Sequence, residues 1–325
     1  MNWNKMLLFI MIISSTVVSI SSSNWMGMWM GMEINMITFI PLMSKKKNKK
    51  SSQAMMIYFL TQSMGSLLLL FSILMNFIMY GPLMMSLLST LLMVSLSLKL
   101  GMAPFHFWFP EMMSNLYWIE SLIMMTWQKI IPLFMLNNIL NNVMFMMIAM
   151  SAIMGAVGGL YTSSMRKIMA YSSINHMSWI LMMMINQTQW IIYLMIYTIN
   201  TTMLCYFFHK NNIYFINQMP NKTVSLSNKF IYSTLLLSMG GMPPFLGFLP
   251  KWMAINTMLN NKMYLMMMIL IFMSLITLFY YMRIIFPMML NFNIMNKWSY
   301  YENNKLMMMM FVNFLLPVAS IVNFY

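Results

Sequence analysis

Runs of about twenty residues with almost no charge follow one another along nearly the whole chain, separated by short polar or turn-forming breaks. A helix needs about 20 mostly apolar residues to cross the hydrocarbon core of a bilayer. In lipid, only helices and closed barrels leave no backbone group unsatisfied. Of the 325 residues only 7% are charged and 61% are hydrophobic, whereas ordinary soluble domains carry roughly a quarter charged residues. Such a chain cannot clothe a water-facing surface. It is expected to be an all-α polytopic membrane protein, a single transmembrane domain over 1–325.

The apolar runs predict about eleven helices, over about 6–22, 25–43, 54–79, 83–104, 116–139, 143–162, 168–186, 189–209, 229–258, 262–286 and 305–323. The first follows Lys5 and has no small-residue cleavage site, so it reads as a retained span rather than a signal peptide. Lysine and arginine collect in alternate connections. Lys5, the run Lys45, Lys46, Lys47, Lys49 and Lys50, then Arg166, Lys167, Lys210, Lys222, Lys229, Lys297 and Lys305 fall on one side, and only Lys262 is clear on the other. The net charge of +14 is therefore read as topology rather than as a nucleic-acid surface. The amino terminus is expected on the side of insertion, with the carboxyl terminus opposite. The Lys-rich stretch Ser44 to Ser52 reads as a topogenic loop, with anionic lipid or partner binding as the alternative.

No nucleotide-binding loop stands out. Gly155-Ala-Val-Gly-Gly159 follows no strand pattern and reads as a close helix-packing seam. Cys205 is the single cysteine, which excludes a disulfide framework within the chain and a thiolate metal cage. Methionine, at 54 residues, is spread evenly and serves as adaptable apolar filler, not as a thioether metal path.

Against this background, ionisable side chains inside the spans carry the information. Glu33, Lys99, Lys129, His176 and Lys251 each fall well inside an expected helix, at a cost of roughly 2.5 to 3.5 kcal/mol on insertion scales. Arg283 lies near a helix end and is expected to snorkel. Titratable groups at similar depth on several helices suit lateral proton transfer. An amine held in a low-dielectric interior keeps its proton less tightly than in water, and a nearby carboxylate pushes the other way. An acid and a lysine whose separation changes thus make a proton switch. Two spans also hold helix breakers, Gly101-Met-Ala-Pro104 beside Lys99 and Gly240-Gly-Met-Pro-Pro244 ahead of Lys251. Proline removes a donor and clashes one turn back. Paired discontinuous helices mark transporters built from inverted repeats.

Four stretches carry a family resemblance. They are Leu98-Lys-Leu-Gly-Met-Ala-Pro-Phe-His-Phe-Trp-Phe-Pro-Glu111, Thr126-Trp-Gln-Lys-Ile-Ile-Pro132, Met165-Arg-Lys-Ile-Met-Ala-Tyr-Ser-Ser-Ile-Asn-His-Met177 and Gly240-Gly-Met-Pro-Pro-Phe-Leu-Gly-Phe-Leu-Pro-Lys-Trp252. In this order they resemble the antiporter-like subunit family of mitochondrial NADH:ubiquinone oxidoreductase, respiratory complex I, in its chain 2 branch. Asn175 and Ser178 beside the histidine, and Ile131 after Lys129, depart from the family's usual small residues.

The resemblance implies antiporter-like inverted repeats with two broken helices and the first three family helices absent. It implies that Glu33 and Lys99 form the acid–lysine pair, Lys129 is the central lysine, His176 a relay group and Lys251 the terminal lysine. His106 and Glu111 belong to the motif but are secondary. No cofactor or metal is expected in this chain; NAD, FMN, iron-sulfur clusters and ubiquinone are implied elsewhere in the complex. Implied partners are other membrane-arm subunits, including neighbouring antiporter-like ones, and phospholipids such as cardiolipin, with no nucleic acid. The implied location is the mitochondrial inner membrane with a matrix-side amino terminus, and the high methionine and missing aspartate look like an invertebrate mitochondrial product. A cation/proton antiporter subunit, or a scaffold whose buried charges only fix helix positions, remain the alternatives.

Overall fold

The computed structural model describes residues 3–44, 48–78, 82–139, 141–222, 226–290 and 313–314. Lys45, Lys46, Lys47, Lys297, Lys305 and, except for Asn313 and Phe314, the expected span 305–323 lie outside these residues. The described residues are almost wholly helical. They hold no strand, only an isolated antiparallel bridge between Ser164 and Phe215. The chain divides into two compact units, residues 1–147 and 148–325.

The first unit opens with α1 (Trp3–Ser21), α2 (Trp25–Met43) and α3 (Lys49–Ile78). It continues through α4 (Pro82–Leu100), α5 (Trp108–Asn115), α6 (Trp118–Met125), a 3-10 turn (Trp127–Lys129) and α7 (Ile130–Leu136). Small residues set the close approaches. A Cβ at Gly31 would fall 2.7 Å from Ser19 Cβ, and one at Gly65 would fall 2.8 Å from Lys99 Cγ. Van der Waals packing of such seams holds helices together where lipid removes the hydrophobic drive. On α3 the buried face runs through Tyr58, Gln62, Gly65, Ser66, Leu69 and Ser72, a helical spacing that points polar groups inward.

The second unit contains most of α8 (Val143–Leu160), then α9 (Met165–Ile185), α10 (Trp190–Lys210), α11 (Met219–Lys222), α12 (Leu226–Gly240), α13 (Phe248–Asn260) and α14 (Tyr264–Leu290). Its core is α9, whose most apolar window is 89% buried against 22% for α14. The expected glycine seam is observed: Cβ atoms at Gly155, Gly158 and Gly159 would strike Asn175, Tyr171 and Tyr280 respectively.

Among the described residues, six helical stretches are long and apolar enough to cross a membrane, over Lys49–Ile78, Trp118–Leu136, Val143–Leu160, Met165–Ile185, Trp190–Lys210 and Tyr264–Leu290. Two shorter apolar helices cover Lys5–Ser21 and Met84–Leu100. The expected span 83–104 stops at Leu100, and the expected span 229–258 is interrupted between Gly240 and Phe248, which leaves its halves short.

Arg283 reaches a helix end: its guanidinium donates to the carbonyls of Leu160, of Gly159 at 3.4 Å and of Thr162 at 2.8 Å. These are the carbonyls at and just beyond the end of α8, which no intrahelical donor reaches.

Candidate proton-transfer sites

Both broken helices end in the same way. At the end of α4, Gly101 takes φ +67°, its N–H bonds Leu98 O at 3.1 Å, and Met102 N–H bonds Ser97 O at 3.0 Å. At the end of α12, Gly241 takes φ +80°, its N–H bonds Ser238 O at 3.1 Å, and Met242 N–H bonds Leu237 O at 3.2 Å. This paired pattern is the Schellman cap, which needs a left-handed residue after the last helical one and so favours glycine. Side-chain donors add to these caps. Trp108 Nε1 gives Leu98 O a second bond at 3.1 Å, and Gln62 Nε2 donates to Lys99 O at 3.1 Å. Lys251 Nζ donates to Gly240 O at 2.7 Å.

Lys99 occupies the last turn of α4, buried at 6% exposure. Its ammonium lies 4.0 Å from Glu33 Oε1 and 3.9 Å from Met32 Sδ, both on α2. The Glu33 side chain is 20% exposed, and at 4.0 Å the pair stands at the outer edge of ion-pair contact. Lys129 is also buried, over the ring of Phe109 at 5.3 Å. Its 3-10 turn interrupts the expected span 116–139. Pro132 has no N–H for the carbonyl of Gln128 and its ring crowds that carbonyl, which loosens the helical ladder at this turn. One small space, with room for about one water, touches Tyr58, Gln62, Lys99, Gln128 and Lys129. The structure thus brings Lys99 and Lys129 to one polar-lined space in the first unit, with Glu33 beside Lys99.

In the second unit His176, on α9, pairs its Nδ1 with Tyr193 OH at 2.9 Å and lies 5.1 Å from the Tyr197 ring. It lines a small cavity with Tyr193, Tyr197, Asn200, Ser238 and Pro250. Pro250 precedes Lys251 directly, so this cavity reaches the first turn of α13. Lys251 itself is buried, passes over Gly241 and approaches the Trp179 ring to 6.0 Å. A Cβ at Gly241 would fall 2.7 Å from Lys251 Cδ, so this glycine supplies both the left-handed turn and the passage for the lysine.

His106 sits inside the first break, buried, with Nδ1 3.3 Å from Pro104 O, while Glu111 is exposed on the first turn of α5.

Residues 22–277 match the family described as NADH:quinone oxidoreductase/Mrp antiporter, TM. The chain belongs to this family. Its relatives within the NADH:quinone oxidoreductase/Mrp antiporter family include NADH-ubiquinone oxidoreductase chain 2 of Aedes aegypti, 44% identical over 97% of this chain and 95% of that protein. The protein of the same name from Anopheles gambiae is 41% identical over 97% of this chain and 92% of its own length. A chain of respiratory complex I from Thermus thermophilus shares the fold, with a TM-score of 0.81 over 88% of this chain and 71% of that one, at 19% identity. The helical antiporter-like architecture of this membrane family is therefore that of the present chain.

Several further polar groups in the two units are harder to see in the sequence. Glu120 is buried at the start of α6 and accepts from Tyr117 N–H at 3.3 Å; its place in the first turn of a helix after a polar break was the available signal. Tyr58, Gln62, Gln128, Tyr193 and Asn200 are neutral polar residues on the cavity walls. Each lies within spans where hydropathy alone ranks it as a minor blemish.

Proposed function

We propose that the chain is a core membrane-arm subunit of respiratory complex I that moves protons across the mitochondrial inner membrane while NADH is oxidised and ubiquinone reduced in other subunits. The observation that carries this reading is the single polar-lined cavity touching both Lys99 and Lys129, with Glu33 at 4.0 Å from Lys99. Buried amines facing a common wettable space can exchange a proton through water, and the carboxylate biases which of them is charged. Closing the Glu33–Lys99 pair favours the charged Lys99; opening it releases the proton toward Lys129. In the second unit, His176 with Tyr193 accepts and passes protons, and Lys251 is the terminal carrier. NAD, FMN, iron-sulfur clusters and ubiquinone belong to other subunits, which supply the energy by conformational or electrostatic coupling.

The amino terminus faces the matrix and the carboxyl terminus the intermembrane space, as the lysine and arginine bias of the connections supports. Neighbouring membrane-arm subunits, antiporter-like ones among them, are its partners, and cardiolipin occupies the lysine-rich margins.

Proton uptake by sealed membrane vesicles holding the assembled complex tests this reading. NADH should drive proton translocation in sodium-free medium, and Lys251→Met should lower it while the complex still assembles. Sodium-dependent antiport that leaves NADH-linked respiration untouched by Lys251→Met would instead identify a cation/proton antiporter.

A further inference from the structure

Asn35 and Gln128 form a reciprocal amide pair. Asn35 Nδ2 donates to Gln128 Oε1 at 3.0 Å, and Gln128 Nε2 donates to Asn35 Oδ1 at 3.1 Å. Tyr58 OH adds a longer contact to the same Gln128 Oε1 at 3.5 Å. Asn35 is buried, and a buried amide pair of this kind loses much if either partner is removed, because the other is left unsatisfied. What the pair joins gives it meaning. Asn35 stands two residues after Glu33 on α2, and Gln128 stands immediately before Lys129 on the 3-10 turn. That turn is weakly held by its own backbone, since Pro132 withdraws the donor for the Gln128 carbonyl. A short 3-10 stretch inside a helix often marks a hinge. The Gln128 side chain also lines the cavity shared by Lys99 and Lys129.

We infer that the Asn35–Gln128 amide pair is a positioning clasp that ties the position of Lys129 to the helix carrying Glu33, so that rearrangement of the Glu33–Lys99 pair is felt at the central lysine. This rests on the proton-transfer reading above. A clasp of neutral hydrogen bonds transmits displacement without adding a charge that would compete for the proton. The short asparagine and longer glutamine together span the gap between α2 and the turn, so exchanging the two amides keeps the total reach.

The test uses the assembled complex in sealed vesicles and reads protons moved per NADH oxidised alongside the amount of complex. Asn35→Leu and Gln128→Met should each lower the ratio, by up to this chain's own share of it, because each removes the same pair of neutral hydrogen bonds. The double variant should be no worse than the more damaging single one, because both remove the same interaction. The exchange Asn35→Gln with Gln128→Asn should restore a large part of the ratio, which a role in assembly alone would not produce. Where the amide variants fail to assemble, Tyr58→Phe removes the third contact, leaves both amides in place and should lower the ratio in the same direction. An unchanged ratio in the assembled single variants, fully additive losses in the double variant, or an unchanged ratio in Tyr58→Phe where only that variant assembles, overturns the clasp. Lys129→Met, run in parallel, separates the two levels: if it stops translocation while the clasp variants do not, the clasp alone is wrong, and if it is silent the proton-transfer reading itself is wrong.

Discussion

Lys251 closes the helix that precedes it: its ammonium donates a 2.7 Å hydrogen bond back across the break to the carbonyl of Gly240, the last residue of α12. The helix dipole places partial negative charge at that end, where a cation is favoured. The lysine proposed to carry protons is therefore also the group that satisfies a freed carbonyl in the interior. Any motion of its ammonium must be accompanied by a new donor for Gly240, which water entering the break can supply.

Two adjacent glycines respond differently to the same change. Gly241→Ala must adopt φ +80° and put a methyl 2.7 Å from Lys251 Cδ. The left-handed backbone alone costs about 1–2 kcal/mol, and the lysine must move as well. Gly240→Ala meets nothing closer than Leu278 Cγ at 3.5 Å, an ordinary contact. Thermal stability and proton translocation of the assembled complex should fall for Gly241→Ala and stay near the parent's for Gly240→Ala.

Tyr193→Phe keeps the ring packed against α9 but removes the hydroxyl 2.9 Å from His176 Nδ1. Loss of one neutral hydrogen bond is worth about 1 kcal/mol, which corresponds to about a fivefold change in rate when the bond orients a proton carrier. Proton translocation should slow by that order with assembly unchanged, and normal rates in Tyr193→Phe would remove His176 from the path.

Arg283 calls for the opposite pattern. Arg283→Leu leaves the carbonyls of Gly159, Leu160 and Thr162 without their guanidinium donor. Unsatisfied buried groups cost about 1–3 kcal/mol. The amount of assembled complex should drop, while protons moved per NADH by the complex that does form stay constant. Arg283→Lys should recover only part of the loss, because one ammonium cannot reproduce the planar fork.

Much of this was legible in the residues, and the exceptions share a cause. Gly101 with Pro104, and Gly241 with Pro243 and Pro244, announce the two breaks because their effect on the backbone is local. The membrane class follows from the scarcity of charge alone. Lys99, Lys129, His176 and Lys251 could be picked out because a charge in an apolar run is visible without knowing its neighbours. The 3-10 turn at Trp127–Lys129 is harder to read, because Pro132 alone does not say whether the helix kinks, tightens or stops there. The clasp of Gln128 is invisible by nature, because its partner Asn35 lies 93 residues earlier. The acceptors of Arg283 are invisible for the same reason, since they lie at and just beyond the end of α8, more than 120 residues earlier.

The central claim is that buried lysines, and not helix packing by buried charge, are what the membrane interior of this chain is built to present. Its most direct measurement is the number of protons moved per NADH by the assembled complex carrying Lys129→Met, a change that keeps the length of the side chain and removes its charge. The account predicts normal amounts of complex with translocation through this chain lost. Normal assembly with an unchanged proton count would contradict it.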